Sequence, residues 1–294
     1  MTARRAPRAR TRLARVRTVP ELRTALARMR ARGERVAFVP TMGALHAGHL
    51  SLVERARRSA DRVIVSIFVN PLQFGPHEDF RRYPRPVARD RALLTAAGVD
   101  LLWEPAVTDL YPPHDRTRVS VAGLSDVLEG ASRPGHYTGV CTVVARLLGA
   151  VQPDVMWLGQ KDAQQALILE RMAANLLMPV RIRRGDTMRE PDGLAMSSRN
   201  AYLSTSERQQ AVALSQGLVA ARMLLRAGER RASRLVAAIR REWAGYPLVR
   251  EDYIAVVDPD TLAPLKTVRD AALVAVAAQV GPARLIDNFP WRGR

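Results

Sequence analysis

VAFVPTMGALHAGHLSLVERARRSADRVIVSIFV, residues 36–69, decides the fold. Val36-Ala37-Phe38-Val39 is an apolar run closed by Pro40-Thr41-Met42-Gly43; residues 50–60 carry helical spacing, and residues 63–69 are apolar except for Ser66. Strands apolar on both faces with a helix between them read as a parallel pair joined by a crossover, because only a sheet covered on both sides buries such runs. Working outward, the unit recurs. Helices expected over residues 87–97, 137–151 and 162–177 precede strands expected over 99–103, 154–158 and 180–183. Upstream, Thr18 and Pro20 mark the cap and first turn of a helix reaching about Arg32. Beyond Asp186 the texture changes to a polar, Gly-containing segment (187–200), helices expected over 206–226 and 232–243, and short strands over 253–257, 273–277 and 283–289. Helices followed by a run of strands suggest a small α+β domain. The expected organisation is a basic, disordered extension over residues 1–17, an α/β domain over 18–187 and an α+β domain over 188–294.

The chain's 294 residues suit about two domains at roughly 150 residues each. Hydrophobic residues make up 47% and charged residues 25%, an ordinary globular composition, and no apolar run is long enough for a spanning helix. A single Cys excludes an internal disulfide and a Cys-ligand zinc site, and a reducing cytoplasm fits best. The net charge of +18 first suggests a nucleic-acid binder. Residues 1–17, however, hold seven Arg and no acid, which leaves +11 spread among acids over the remaining 277 residues. This tail has neither the apolar region of a secretory signal nor the Ser of a transit peptide. Lys occurs only at 161 and 266, so 44 of the 46 basic residues are Arg, a bias expected from base composition rather than from a binding face. Aromatic residues, 5% of the chain, do not interleave with Arg as a stacking platform would.

Three loop-to-helix stretches could carry chemistry. His46-Ala47-Gly48-His49 puts two imidazoles on one side of a first helical turn, where unpaired N–H groups and the dipole favour an anion, while Gly43 and Gly48 allow close approach of a large ligand. Such a pair could equally do no more than cap its helix. Its place after the first strand of a parallel sheet favours a nucleotide phosphate cradle. In Gly159-Gln160-Lys161-Asp162-Ala163-Gln164-Gln165, the ammonium of Lys161 stands at the unfavourable end of a helix dipole, losing about 0.3–1 kcal/mol unless an anion joins it. Asp162 is the expected cap and Gln165 a neutral hydrogen-bonding group; solvation of Lys161 beyond the cap is the alternative. Met196-Ser197-Ser198-Arg199-Asn200 reads either as a lid that closes on phosphate oxygens or as an ordinary linker.

Together with Asn70-Pro71-Leu72-Gln73-Phe74, Tyr83-Pro84-Arg85, Arg133-Pro134-Gly135-His136 and Asp192-Gly193-Leu194-Ala195, these stretches closely resemble the pantothenate synthetase (pantoate–β-alanine ligase) family, in that family's order, over residues 20–289. The family belongs to the nucleotidyl-transferring superfamily of class I aminoacyl-tRNA synthetases. The resemblance implies a Rossmann-like parallel sheet with a HIGH-type nucleotide site at His46–His49 and a KMSKS-like loop at 196–199. Ser198-Arg199 replaces the Ser-Lys of a synthetase, which argues against tRNA charging.

The resemblance further implies that ATP is a substrate accompanied by Mg2+, that pantoate is activated as an adenylate, and that β-alanine then displaces AMP. In the family's pattern His46, His49, Lys161, Ser197, Ser198 and Arg199 act on the phosphates, with Met42, Gly159, Asp162 and Met196 also lining the ATP site. By the same likeness Gln73, Gln165 and Asn70 hydrogen-bond pantoate, and Pro40 and Met42 contact its methyls. Asp90 is the expected metal-side carboxylate, with Glu129 a second possibility; His136 lines the same cleft or caps its helix, and Cys141 packs. A cytoplasmic homodimer is implied, with no membrane or nucleic-acid partner. A different adenylate- or cytidylate-forming transferase is the rival within catalysis, and an Arg-driven nucleic-acid binder the rival outside it.

Overall fold

A computed structural model of the chain describes residues 12–76 and 78–293. They divide into two units. The first runs through Val121 and adds Pro134–Gly159 and Ile168–Gly185; the second combines Ala122–Arg133, Gln160–Leu167 and the chain from Asp186 onward.

The first unit is built on strands β1 (Ala14–Val16), β2 (Val36–Thr41), β3 (Arg62–Ile67), β4 (Leu101–Trp103), β5 (Val155–Gly159) and β6 (Arg181–Gly185), in the order β1-β4-β3-β2-β5-β6 with every pair parallel. Helices follow in chain order as α1 (Val19–Arg30), α2 (Ala47–Ser59), α3 (Val87–Ala96), α4 (Val107–Leu110), α5 (Glu129–Ser132), α6 (His136–Val151) and α7 (Ala163–Asn175), of which α5 and the first residues of α7 belong to the second unit. This is the parallel α/β, Rossmann-like sheet expected. Val39, Val63, Val65 and Leu102 pack beneath Leu52, Val53 and Ala56 of α2. From β2 the chain steps to β3 and β4 on one side, and β5 to β6 steps away on the other. The sheet's switch point therefore lies between the carboxyl ends of β2 and β5, where open α/β sheets take ligands.

The tail predicted over residues 1–17 is corrected: it ends earlier, because Ala14–Val16 pair with β4 and Trp103 Nε1 donates to Arg17 O at 3.0 Å. The Arg content that hid this strand is tolerated on a sheet edge, where Arg15 Nε reaches Glu104 at 3.3 Å. Residues 1–11 of the tail lie outside the described residues.

The second unit holds β7 (Val249–Val257), β8 (Ala271–Val280) and β9 (Ala283–Arg292) in one antiparallel sheet, with α8 (Thr205–Gln210), α9 (Ala213–Arg226) and α10 (Ala232–Trp243). Leu218, Leu225, Leu235 and Ile239 share a core with Val274, Val276, Leu285 and Phe289. Gly281, at φ +53°, turns β8 into β9, and a Cβ there would collide with the Glu207 carboxylate. The single helix expected over 206–226 is broken at 211–212; Ala211, Ala213 and Leu214 are all buried, so the apolar pattern runs through the break unmarked. The unit also takes in two segments that local pattern assigned elsewhere. Buried Gln164 donates to Leu124 O (2.9 Å) and Val127 O (2.8 Å) and accepts from Glu129 N, which ties 122–133 to 160–167. Among the described residues no helix is long and apolar enough to cross a membrane.

Candidate functional site

At the end of β2 the Thr41 hydroxyl donates to Ser66 O (2.8 Å) and accepts from Gly43 N (3.2 Å). Gly43 (φ +82°) and Ala44 (φ +50°) then adopt consecutive left-handed conformations. These turn the N–H groups of Ala44 and Leu45 onto the Asp90 carboxylate, each at 2.8 Å. A left-handed alanine costs about 1–2 kcal/mol, and two charge-assisted bonds of roughly 1.5–3 kcal/mol each offset it. Asp90, 1% exposed, is thus occupied as the anchor of this loop. The sequence expected Asp90 beside a metal; in this structure both of its oxygens accept these N–H bonds.

His46 is the N-cap of α2. Its Nδ1 accepts from Gly48 N at 3.1 Å, and His49 Nδ1 accepts from His46 N at 3.3 Å, with the ring centroids 4.1 Å apart. An Nδ1 that accepts carries no hydrogen, so each neutral ring keeps its proton on Nε2 and presents a donor. Capping thus uses Nδ1 of each ring.

Beside this loop, Gln73 Nε2 donates to Met42 Sδ (3.1 Å). Buried Asn70 spends both amide hydrogens, on Gln73 Oε1 and Gly139 O, each at 3.1 Å, while its Oδ1 accepts from Leu72 N and from Tyr111 OH at 2.6 Å. Asn70 thus forms the wall that holds Gln73 and has no donor left for a ligand. Burial pushes the Tyr111 hydroxyl up to about 12, so it stays protonated and keeps donating. His136, at the start of α6, contacts Gln73 O through Nδ1 at 2.8 Å. Gly139 is required by packing, since a Cβ would overlap Leu72 O. Pro40 and Met42 are half-buried at the end of β2. Cys141 is buried, which lifts its thiol to about 12 and makes it inert packing.

In the second unit, the turn Gln160–Asp162 leads into α7. Asp162, the expected cap, instead turns its carboxylate to Lys161 Nζ at 3.3 Å, supplying the anion that an ammonium at a helix start requires. Gln165 is half-buried one turn on, and Gly159 ends β5. Asn288 of β9 grips the turn through Gln160 O (3.1 Å) and Lys161 O (2.7 Å). Sequence reasoning missed Asn288 altogether, because no local pattern marks a single polar residue in a C-terminal strand.

Residues 188–196 are a hairpin rather than a linker. Arg189 and Ala195 bridge, Met196 N donates to Met188 O, and Gly193 (φ +96°) turns the tip. Arg208 pairs with Asp192 at 2.6 Å and holds that carboxyl below its usual range. Ser197 caps the next turn by accepting from Arg199 N (3.2 Å), so Met196, Ser198 and Arg199 are presented on an ordered stem. Glu129, the second residue expected near a metal, lies among other partners. Its oxygens accept from Tyr253 OH (2.9 Å) and twice from Arg284 (2.6 and 2.8 Å). Burial works against the Arg284 cation, but Glu129 and Asp252 together outweigh it and keep the guanidinium firmly protonated. Arg62, Arg91, Arg184 and Arg240 also pair with carboxylates, so part of the chain's Arg content is structural.

A sequence profile of the pantoate-beta-alanine ligase family matches residues 14–290. The pantothenate synthetase of Acidiphilium cryptum is 55% identical over 254 residues, 86% of this chain and 91% of that protein. That of Moorella thermoacetica is 51% identical over 259 residues, 88% and 92% of the two chains. Among solved structures, the pantothenate synthetase of Thermus thermophilus matches with a TM-score of 0.90 at 50% identity, over 94% of this chain and 99% of that one. The pantoate-beta-alanine ligase of Francisella tularensis, complexed with beta-gamma ATP and beta-alanine, matches with a TM-score of 0.77 at 31% identity, over 94% and 97%.

Proposed function

This chain belongs to the pantoate–beta-alanine ligase family, and we propose that it joins pantoate to β-alanine at the expense of ATP in two steps. A pantoate carboxylate oxygen attacks the α-phosphorus of ATP, forming pantoyl-adenylate as pyrophosphate leaves. The β-alanine amine then attacks the acyl carbon, loses a proton and releases AMP. Neither step needs a protein nucleophile; the protein contributes placement and positive field around the phosphorus.

The observation that carries this reading is the imidazole pair at the start of α2, with Nδ1 of each ring fixed as an acceptor. Two Nε2–H donors at a helix start, beside the switch point of a parallel sheet, suit triphosphate oxygens. Lys161 supplies the mobile charge that balances the oxygens during transfer, and Ser197, Ser198 and Arg199 close on the triphosphate from their stem. Met42, Gly159, Asp162 and Met196 line the nucleotide. Gln73 and Gln165 hydrogen-bond pantoate, whose methyls rest on Pro40 and Met42, while Asn70 acts by holding Gln73. A site that satisfies substrate hydroxyls rejects analogues lacking them more sharply than an apolar pocket does. Magnesium would accompany ATP and would neutralise the leaving pyrophosphate, with Asp90 as the carboxylate on its side. The same reading places a homodimer in the cytoplasm, where ATP is supplied and a lone thiol stays reduced.

The direct test omits β-alanine. Labelled pyrophosphate should exchange into ATP only when pantoate is present. Exchange with another carboxylic acid in preference to pantoate would support the rival transferase, and no exchange with any acid would rule out an adenylate.

A further inference from the structure

Two buried polar residues stand side by side on β9, where apolar ones would fill the space at lower cost. Asp287 and Asn288 are 2% and 5% exposed. As neighbours on a strand they point to opposite faces of the sheet. Asp287 lies on the face of Leu285 and Phe289, within the helix-covered core, and takes both branches of Arg189 at 2.6 and 3.0 Å. Arg189 also donates to Gly193 O (3.0 Å), so this pair secures the hairpin that precedes Met196–Arg199. On the other face, Asn288 Nδ2 donates to Gln160 O and Lys161 O, and Asn288 Oδ1 accepts from Gln160 Nε2 at 3.1 Å. The two side chains are themselves linked, since Asn288 N donates to Asp287 Oδ1 at 2.8 Å.

We infer that Arg189, Asp287 and Asn288 are positioning residues for the first half-reaction. Through one strand they lock the main chain of Lys161 to the hairpin that presents Ser197–Arg199, so the ammonium and the lid are preset as one piece. The inference rests on the proposed role of Lys161 in serving the phosphates. A three-residue 3-10 turn has few hydrogen bonds of its own, and Asn288 gives two of its carbonyls a side-chain donor. Misplacement of a catalytic group by about 1 Å costs on the order of 100-fold in rate, which sets the scale of the effect.

The test is Asn288→Asp in the full chain, an isosteric change that turns a donor into a carboxylate facing two carbonyls. Pantoate-dependent ATP–pyrophosphate exchange is compared for wild type, Asn288→Asp, Lys161→Ala and the double variant. The expected result is a loss of about 10- to 100-fold in kcat with KM for pantoate within about twofold, and no further loss when Asn288→Asp is added to Lys161→Ala. Exchange within twofold of wild type, or losses that multiply in the double variant, would overturn the inference while leaving the ligase reading intact. Normal exchange by Lys161→Ala would overturn both. If Asn288→Asp does not fold, Arg189→Lys, which cannot replace the two-pronged pairing with Asp287, is read in the same cycle.

Discussion

The capping bonds of His46 and His49 are made within three residues of chain, whereas the main chain of Lys161 is held by Asn288, 127 residues further on. Both stretches follow a parallel strand and precede a helix, yet one is assembled locally and the other by a distant strand. The local one explains itself in sequence: imidazoles at an N-cap and three residues beyond it form their own box, and Gly43 permits the turn before it. The distant one shows only its tip, a rare Lys, and conceals its support.

Three substitutions sharpen or break that contrast. The largest effect is expected from Lys161→Ala, which should lower pantoate-dependent exchange by about 100- to 1000-fold, the usual cost of one preorganised charge-stabilising group; near-normal exchange would remove Lys161 from the chemistry. Next comes Asp90→Asn, which leaves one of the two N–H groups at Ala44 and Leu45 without an acceptor. Stability should fall by about 1–3 kcal/mol, and exchange by about tenfold, roughly half the loss in log units expected of a 1 Å displacement. Calorimetry and exchange together check it, and an unchanged melting temperature would show that the imidazole box needs no outside anchor.

The smallest effect lies at the far end of the sheet. There Glu34 is paired with Arg62 (2.7 Å) and Arg32 (3.0 Å), and Arg62 also bonds Asp100. Hydrogen bonds from Arg62, then Arg32, hold Glu34 at about 2, well below its usual 4.5. A lowered carboxylate stabilises the fold fully above pH 4.5, and that contribution is lost as pH falls from 4.5 towards 2. Glu34→Gln should therefore flatten the acid limb of the stability curve and leave exchange unchanged. A change in exchange would mean that the amino ends of the strands matter to the chemistry.

The same contrast governs what sequence reveals. The parallel unit was legible because Val36–Val39 and Val63–Val65 are apolar on both faces, a pattern few other arrangements explain. The edge strand β1 was not, because Arg15 masks three paired residues as tail. Nor was the membership of 122–133 and 160–167 in the second unit, since Gln164 and the Arg284–Glu129 pair act across long sequence separations. Within the candidate site the motif residues were visible. The supporting roles of Asp90, Tyr111, Asp287 and Asn288 were not visible, because they lie in hydrogen bonds to residues far away in the chain.

Product analysis of the purified chain with pantoate, β-alanine and MgATP tests the central claim most directly. One pantothenate should form for each AMP and each pyrophosphate, with neither product released in quantity when pantoate is left out. Formation of ADP and inorganic phosphate, or ATP turnover indifferent to pantoate, would contradict it.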